Sequence, residues 1–416
     1  MTADHETMTL GAQLLERLDE AACFSEPGAG VTRLFCSEQH RQVLELIADW
    51  MRRAGLEPEM DASGNLVGRC DKARAGARTL IMGSHQDTVV EGGKYDGMLG
   101  VALPLLALER LKKDGIELDY GVEVVAFGDE EGTRFQSTLI GSRALAGTFD
   151  PASLEARDAD GISVGEALRA FGGDPEQIPS LARDPDSVLG FVEVHIEQGP
   201  VLERRDHALG VVTSLTGIER HRLTVAGKAG HAGTTPMPGR RDALVGAAEM
   251  IAEVDRILNA TEDFVGVVGK LEVRPNAVNV IPAEVVFTLE LRSPHAEVRR
   301  RGREDILAAC RQLAQARELS LTVETTYEAE AVACADWLIE ALGDACQRCD
   351  EPADLLFSGA GHDGLAMCDL TGIGMLFVRC TDGLSHHPDE AITAADGEAA
   401  TRVLMQFLKD LTVKEQ

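Results

Sequence analysis

The sequence predicts an α/β protein with a mainly parallel sheet flanked by helices, and an inserted α+β domain. Apolar runs of strand length alternate with helical patterns in the first and last parts of the chain. The chain has 416 residues, more than one hydrophobic core usually spans. Its middle part instead holds closely spaced strands around two long helical patterns. The predicted domains are therefore 1–210 with 328–416, and an insertion over 211–327.

The first part of the chain alternates helices with buried strands. Apolar residues at three- and four-residue spacing predict helices, and short apolar runs predict strands. The helices are expected over Thr7–Leu18, Glu38–Ala54, Met98–Lys113 and, within a polar surface excursion at 151–187, Val164–Ala170. The strands are expected over Leu56–Arg69 with a turn inside it, Thr79–Met82, Gly121–Phe127 and Leu189–Ile196.

The middle part predicts a sheet covered on one side by two helices, and the last part returns to helix–strand alternation. In the middle part, strands are expected over Val211–Leu215, His221–Ala226, Gly266–Val273, Glu284–Leu291 and Leu321–Tyr327, and helices over Asp242–Leu258 and Glu297–Arg317. The last part holds an apolar run at Leu355–Phe357, a strand over Gly374–Val378 and a closing helix over Glu398–Leu411.

Composition excludes several classes of partner. The formal charge is −29, with 69 acidic against 40 basic residues, which argues against nucleic acid or an anionic membrane. No apolar run reaches the length of a membrane span. The acidic N-terminus lacks the basic and apolar regions of a secretory signal, and nine scattered cysteines are typical of reduced thiols. A cytoplasmic protein is expected.

Histidines and acids stand at the downstream ends of four predicted strands. The carboxyl ends of parallel strands meet at one edge of a sheet, where ligands bind. Imidazole and carboxylate groups together suit zinc, manganese, cobalt or nickel, and a pair of ions needs a bridging carboxylate. Asp96 is a candidate bridge, with further ligands to the two ions from His85 and His195, and from Glu131 and His386.

Each of these residues also has an ordinary interpretation. A histidine after a strand is often only hydrogen-bonded, and an aspartate beside glycines often forms a turn. The adjacent acids Glu130 and Glu131 are typical of a solvated loop, and His386-His387 of an ordinary one. From topology alone, both the metal centre and these interpretations stay open.

Eight motifs are spread along nearly the whole chain. They are Ser84-His-Gln-Asp-Thr-Val89, Tyr95-Asp-Gly97, Asp129-Glu-Glu-Gly-Thr-Arg-Phe135, His195-Ile-Glu-Gln-Gly-Pro-Val-Leu-Glu203, Gly230-His-Ala-Gly-Thr-Thr-Pro-Met237, Asn279-Val-Ile-Pro282, Ser358-Gly-Ala-Gly-His-Asp363 and Gly383-Leu-Ser-His386. Together and in this order they resemble the amidase, hydantoinase/carbamoylase family. That family contains N-carbamoyl-L-amino-acid hydrolases, β-ureidopropionases of the same type and allantoate amidohydrolases, within the dinuclear aminoacylase and carboxypeptidase superfamily.

The resemblance implies two divalent ions per subunit (Zn²⁺, Mn²⁺, Co²⁺ or Ni²⁺). It assigns His85, Asp96 and His195 to one ion, and Asp96, Glu131 and His386 to the other; His387 lies beyond the matched motif. It further implies that Asp87 fixes a ligand imidazole and that Glu130 is the general base.

The inserted domain is implied to be a lid that also makes a homodimer, so its residues can reach the partner's site. His231 is implied to stabilise the oxyanion that forms during hydrolysis. Substrate contacts are implied for Asn279 and Arg292, the latter through a bidentate pair with a carboxylate. Gln198, Gly361 and His362 are the remaining expected pocket residues.

The implied reaction is hydrolysis of the linear C–N bond of a ureido compound that carries a carboxylate. An N-carbamoyl-L-amino acid is expected first, giving the amino acid, carbon dioxide and ammonia. Allantoate is the alternative: Arg274-Pro-Asn-Ala-Val-Asn279 favours it, whereas Ile218, which stands where such enzymes tend to carry glutamine, speaks against it. A dipeptidase or aminoacylase, and a non-catalytic dimeric binding protein, also stay open.

Overall fold

The computed structural model describes residues 8–70, 77–352 and 354–411. Two compact units make up the chain: the described residues up to Thr213 and from Ala333 onwards, and Ser214–Val332. These limits differ from the predicted 211 and 327 by three and five residues (214 − 211 and 332 − 327). The first limit falls inside the strand Leu209–Leu215, because its residues 209–212 pair within the sheet of the first unit, whereas Ser320–Ala329 extends the sheet of the second.

Strands and helices alternate over most of the chain. The strands are β1 (Glu57–Met60), β2 (Leu66–Cys70), β3 (Thr79–His85), β4 (Gly121–Phe127), β5 (Val188–Ile196), β6 (Leu209–Leu215), β7 (Gly217–Ala226), β8 (Gly230–His231), β9 (Val265–Val267), β10 (Leu271–Arg274), β11 (Val280–Ile281), β12 (Glu284–Ser293), β13 (Ser320–Ala329), β14 (Val332–Ala333), β15 (Asp354–Ser358) and β16 (Ile373–Val378). The helices are α1 (Leu10–Ala22), α2 (Glu38–Ala54), α3 (Met98–Lys113), α4 (Ile140–Ala146), α5 (Val164–Phe171), α6 (Val201–Arg205), α7 (Ala243–Asn259), α8 (Ala296–Ala316), α9 (Asp336–Arg348), α10 (Gly364–Met367) and α11 (Ala394–Asp410).

The first unit is built on a nine-stranded sheet in the order β1-β2-β4-β3-β5-β16-β6-β14, with β15 also beside β6. Its four central strands, β4, β3, β5 and β16, are parallel, which confirms the predicted fold class. Antiparallel strands β2 and β6 continue it on either side. The predicted strand Val211–Leu215 lies across the limit between the units: residues 211–213 belong to the first, where Val211 and Val212 pair with β16, and residues 214–215 belong to the second.

Helices cover this sheet because its central strands are apolar and buried along nearly their whole length. The helix α3 is buried on most sides, as its sequence predicts, and packs against β3, β5, α2 and α11. Ser37 caps the start of α2, and Gly55, with φ of 90°, ends it. The expected α1 begins at Leu10; Thr7, where the sequence predicted its start, lies outside the described residues.

The second unit has a five-stranded antiparallel sheet in the order β10-β12-β7-β13, with β9 also beside β12. Alternate residues of β12 are buried, and α7 and α8 pack against this sheet. The single predicted strand Gly266–Val273 is interrupted at residues 268–270, so β9 and β10 pair with different parts of β12, although the carbonyl of Lys270 still accepts from the amide of Thr288 on β12. A separate two-stranded ribbon, β8 with β11, carries His231.

Within the three described ranges, no helix combines the length and the apolar character needed to cross a membrane.

Candidate metal centre

The candidate centre lies in the first unit, where the chain leaves the carboxyl ends of the four parallel strands. Strand β3 ends at His85 and leads into the loop of Asp96, and the turn after β4 carries Glu130 and Glu131. His195 is the penultimate residue of β5, and His386 follows β16. The order β4-β3-β5-β16 makes these strands neighbours, which is why residues about 300 positions apart meet here.

Asp96 is the centre of the arrangement. Its Oδ1 lies 3.3 Å from Nε2 of His85 and 3.1 Å from Nε2 of His195. Its Oδ2 lies 3.3 Å from Nε2 of His386, which is itself 3.6 Å from Oε1 of Glu131. Two donors at about 2.1 Å from one ion at the tetrahedral angle lie about 3.4 Å apart. The separations therefore fit ligands that share a metal ion.

Two groups of donors, each with ligand atoms within 4.8 Å of one another, share Asp96. One is His85, Asp96 and His195, and the other is Asp96, Glu131 and His386. Imidazole nitrogens and carboxylate oxygens are the donors that zinc and similar divalent ions prefer. The residues therefore fit a divalent metal site.

Backbone carbonyls fix two of the histidine rings. Nδ1 of His85 lies 2.9 Å from the carbonyl oxygen of Asp87, and Nδ1 of His195 lies 2.9 Å from that of Ile196. A carbonyl only accepts, so each Nδ1 carries a proton and Nε2 is the nitrogen that faces Asp96. A protonated Nε2 donates to the Asp96 carboxylate, and a deprotonated Nε2 has the lone pair that binds a metal ion.

Asp87 contacts the His85 ring through its backbone carbonyl and not through the carboxylate. The buried carboxylate instead accepts hydrogen bonds from the backbone amides of Glu130 at 3.3 Å and Glu131 at 3.2 Å. Asp87 therefore also fixes the turn that presents these two acids.

Glu130 stands beside the donor groups, and its carboxylate lies within 4.8 Å of ligand atoms of His85 and Glu131. Burial raises the pKa of Glu130 well above its ordinary value; Glu131 acts in the same direction and His85 against it. Burial likewise raises the pKa of Glu131 to about 7. Raised carboxyl pKa values in one cluster are typical of a functional site.

The pKa of Asp96 is lowered, in contrast to the raised pKa values of Glu130 and Glu131. Burial acts to raise its pKa, but the hydrogen bonds with His195, His386 and His85 hold the pKa well below its ordinary value. Asp96 is therefore ionised and available as an acceptor on both oxygens.

The expected pocket residues Gln198 and His362 both contact the donor groups. Nε2 of Gln198 donates to Oδ2 of Asp96 at 2.8 Å and to the Ser385 hydroxyl at 3.1 Å. His362 is 1% exposed, packs edge to face on the His195 ring at 4.5 Å and is hydrogen-bonded to Oγ of Ser358. Burial lowers the pKa of His362 well below its ordinary value. Through the ring contact, His362 supports the position of the His195 ring. Gly361 lies next to His362 in the loop before α10.

The other expected site residues belong to the second unit. His231 accepts two backbone hydrogen bonds at Nδ1, from Gly233 at 3.0 Å and Thr234 at 3.2 Å. The neutral ring therefore carries its proton on Nε2 and can donate from there. The carbonyl of Asn279 accepts from the amide of Ala232 across the same ribbon at 2.9 Å.

Arg292 lies on β12 of that unit. Its Nε donates to Oε1 of Glu290 at 2.8 Å, and its Nη2 lies 2.7 Å from the same oxygen. The guanidinium is therefore oriented by a carboxylate.

Sequence reasoning missed two buried acids next to the donor groups. Glu193, on β5, accepts from the Ser84 hydroxyl at 2.6 Å. Glu390 accepts from the backbone amides of Tyr95 at 2.9 Å and Asp96 at 3.0 Å, and burial raises the pKa of Glu390 to about 7. Glu193 lies two residues before His195, and Glu390 lies four residues after His386. This closeness to a predicted metal ligand is the one sign in the sequence that either acid belongs near the site.

The fold and these donors fit a known class of hydrolases. The chain belongs to peptidase family M20/M25/M40, whose family model matches residues 81–410. The prediction that the protein is a hydrolase is thereby confirmed.

Two relatives indicate which hydrolases the chain resembles in sequence. The chain is 42% identical to N-carbamoyl-L-amino acid amidohydrolase of Geobacillus stearothermophilus, over 98% of this chain and 100% of the relative. It is 39% identical to allantoate deiminase of Arabidopsis thaliana, over 95% of this chain and 82% of the relative.

Among solved structures, an amidase of the hydantoinase/carbamoylase family from Burkholderia multivorans matches with a TM-score of 0.89 and 34% identity, over 96% of this chain and 97% of that chain. A second structure of a hydantoinase/carbamoylase family amidase, from Burkholderia ambifaria, matches with a TM-score of 0.89 and 33% identity, over 96% of each chain. The predicted resemblance to this family is confirmed.

Proposed function

We propose that the protein hydrolyses the linear C–N bond of an N-carbamoyl-L-amino acid, giving the amino acid, carbon dioxide and ammonia. The observation that carries this proposal is the pair of donor groups sharing Asp96 in a chain of this family. The relative from Geobacillus stearothermophilus, named for this substrate class and aligned over 98% of the chain, supports the choice of substrate.

The donor groups would hold two divalent ions, zinc, manganese, cobalt or nickel. His85 and His195 would hold one ion and Glu131 and His386 the other, and Asp96, which belongs to both groups of donors, would serve both ions. When bound, such ions polarise the substrate carbonyl and lower the pKa of water to about 7.

Glu130 is the proposed general base. It takes a proton from the attacking water and delivers it to the leaving nitrogen. Its position beside His85 and Glu131, with its backbone amide held by Asp87, supports this role.

Residues of the second unit are proposed to bind the substrate. His231, with its proton on Nε2, donates to the oxyanion. Asn279 and Arg292 hold the substrate carboxylate, Arg292 through a bidentate pair. The Arg292 guanidinium is oriented by Glu290, whose Oε1 accepts from Nε at 2.8 Å. Gln198 and the loop of Gly361 are proposed to complete the pocket.

We also propose that the second unit forms a homodimer, so that these residues act in the same subunit or in its partner. Val265, Val267 and Leu271, on the edge strands beside β12, are about half exposed, so this edge of the sheet presents several apolar side chains. Light scattering after gel filtration should give twice the chain mass. A monomer at all concentrations would contradict the dimer.

A cytoplasmic location is proposed as well. All nine cysteines lie in the described residues and are free thiols, as expected in a reducing compartment.

Allantoate is the second candidate substrate. The 39% identity to allantoate deiminase of Arabidopsis thaliana favours it, as does the stretch Arg274-Pro-Asn-Ala-Val-Asn279.

A substrate panel separates these candidates. Ammonia release is measured from N-carbamoyl-L-amino acids and from allantoate, and amine release from dipeptides, all with manganese added. The largest kcat/KM is expected for an N-carbamoyl-L-amino acid. A larger value for allantoate would select the second candidate, and turnover of dipeptides alone would contradict both.

A further inference from the structure

A buried acid that belongs to neither donor group, Glu390, joins the loop of Asp96 to the loop of His386. It is 2% exposed. Its Oε1 accepts from the backbone amides of Tyr95 at 2.9 Å and Asp96 at 3.0 Å, and its Oε2 accepts from the Ser385 hydroxyl at 3.1 Å. Glu390 and Asp96 are 294 residues apart in sequence, so this carboxylate fastens two distant segments.

Ser385 makes a second connection between the loop of Asp96 and the loop of His386. Its hydroxyl lies 2.8 Å from Oδ2 of Asp96, and the residue directly precedes His386. A hydroxyl has one proton to donate, so it serves Asp96 or Glu390 at a given moment, and both contacts keep Ser385 between the two carboxylates.

The backbone at Gly93 packs closely against Glu390. A Cβ atom at Gly93 would lie 2.2 Å from the Glu390 carboxyl carbon. The backbone of the Asp96 loop therefore lies directly against this carboxylate, and only glycine at position 93 allows that approach.

We propose that Glu390 is a positioning residue that sets the distance between Asp96 and His386, and thereby the affinity of the centre for divalent ions. This inference rests on the proposed metal-dependent function. Hydrogen-bonding partners of metal ligands typically change metal affinity by about 10- to 100-fold when they are removed.

The test is a calorimetric titration of chelated, metal-free protein with manganese chloride. Glu390→Ala should bind manganese about 10- to 100-fold more weakly than the wild type. Glu390→Gln should stay within about threefold, since its amide oxygen still accepts from both backbone amides and its NH₂ group can donate to Ser385. Cobalt(II) absorption bands, which report ligand geometry, should shift for Glu390→Ala and not for Glu390→Gln.

Glu398→Ala is the matched control. This partly buried carboxylate also accepts a backbone amide from a distant segment, Gly11 at 2.6 Å and 387 residues away, but contacts none of the donor residues. Its loss is expected to lower thermal stability and leave manganese affinity unchanged.

The outcomes are distinguishable. A wild type that binds no divalent ion would overturn the proposed function itself. A wild type that binds manganese beside a Glu390→Ala variant of equal affinity would overturn only the positioning role, as would a Glu390→Gln variant as weak as Glu390→Ala. If Glu390→Ala fails to fold, Glu390→Asp, one methylene shorter, should show the weakened binding, and unchanged affinity there would contradict the proposal.

Discussion

Replacing Glu130 by glutamine changes one proton-binding group and little else. The amide is isosteric with the carboxylate, and the backbone hydrogen bond to Asp87 at 3.3 Å is unaffected. A general base typically contributes about 10²- to 10⁴-fold, so kcat should fall by that factor. At 1.36 kcal/mol per tenfold change, this is about 3–5 kcal/mol of transition-state stabilisation.

The same substitution should stabilise the metal-free protein. Burial raises the pKa of Glu130, and the nearby charge of Glu131 raises it further. Ionisation of Glu130 therefore opposes folding. An acid whose folded pKa is raised loses stability as pH rises above its unfolded value of about 4.3, and glutamine abolishes that loss. The denaturation temperature of metal-free Glu130→Gln should therefore match the wild type at pH 4 and exceed it increasingly toward pH 7.

Glu131→Gln is the matched comparison for the metal content. Both acids lie in one turn, but the proposal makes only Glu131 a ligand. Elemental analysis should find the wild-type metal content in Glu130→Gln and a reduced content in Glu131→Gln. A Glu130→Gln protein that loses metal would show that Glu130 is a ligand, and kcat within tenfold of wild type would refute its role as base.

Three further changes should give measurable effects. Gly97→Ala should lower the free energy of unfolding by about 2–4 kcal/mol and displace His85, because φ at Gly97 is 66° and a Cβ there would lie 2.4 Å from the His85 ring; urea unfolding measures this. Arg299→Leu should destabilise the second unit by about 2 kcal/mol, since the buried Glu219 loses its 2.9 Å partner but keeps Arg303 at 3.1 Å, whereas the exposed Arg300→Leu should cost little. Chelation should lower the denaturation temperature and manganese should restore it, because a ligand held only by the folded state stabilises that state.

Much of the fold and of the candidate centre was predictable from local signals. Continuous apolar strands mark the buried parallel sheet, and histidines or acids just after such strands mark one of its edges. The structure brings His85, Asp96, His195 and His386 together there, while their binding of metal stays a prediction.

The parts that sequence reasoning missed depend on long-range contacts. Glu390 receives its hydrogen bonds from amides 294 and 295 residues away, and no local pattern signals such a partner. The same holds for β6, whose apolar pattern shows that it is a strand but not that it pairs with β16. The break between β9 and β10 likewise follows from how each pairs with β12.

The central claim, a divalent-metal hydrolase of ureido compounds, is tested most directly by chelation and reconstitution of a single sample. Ammonia release from an N-carbamoyl-L-amino acid and metal content are measured before chelation, after chelation and after addition of manganese. Activity should disappear with the metal and return with it, with two ions per chain at full activity. Hydrolysis that persists once elemental analysis shows no metal, or no hydrolysis of any ureido compound by the reconstituted protein, would contradict the claim.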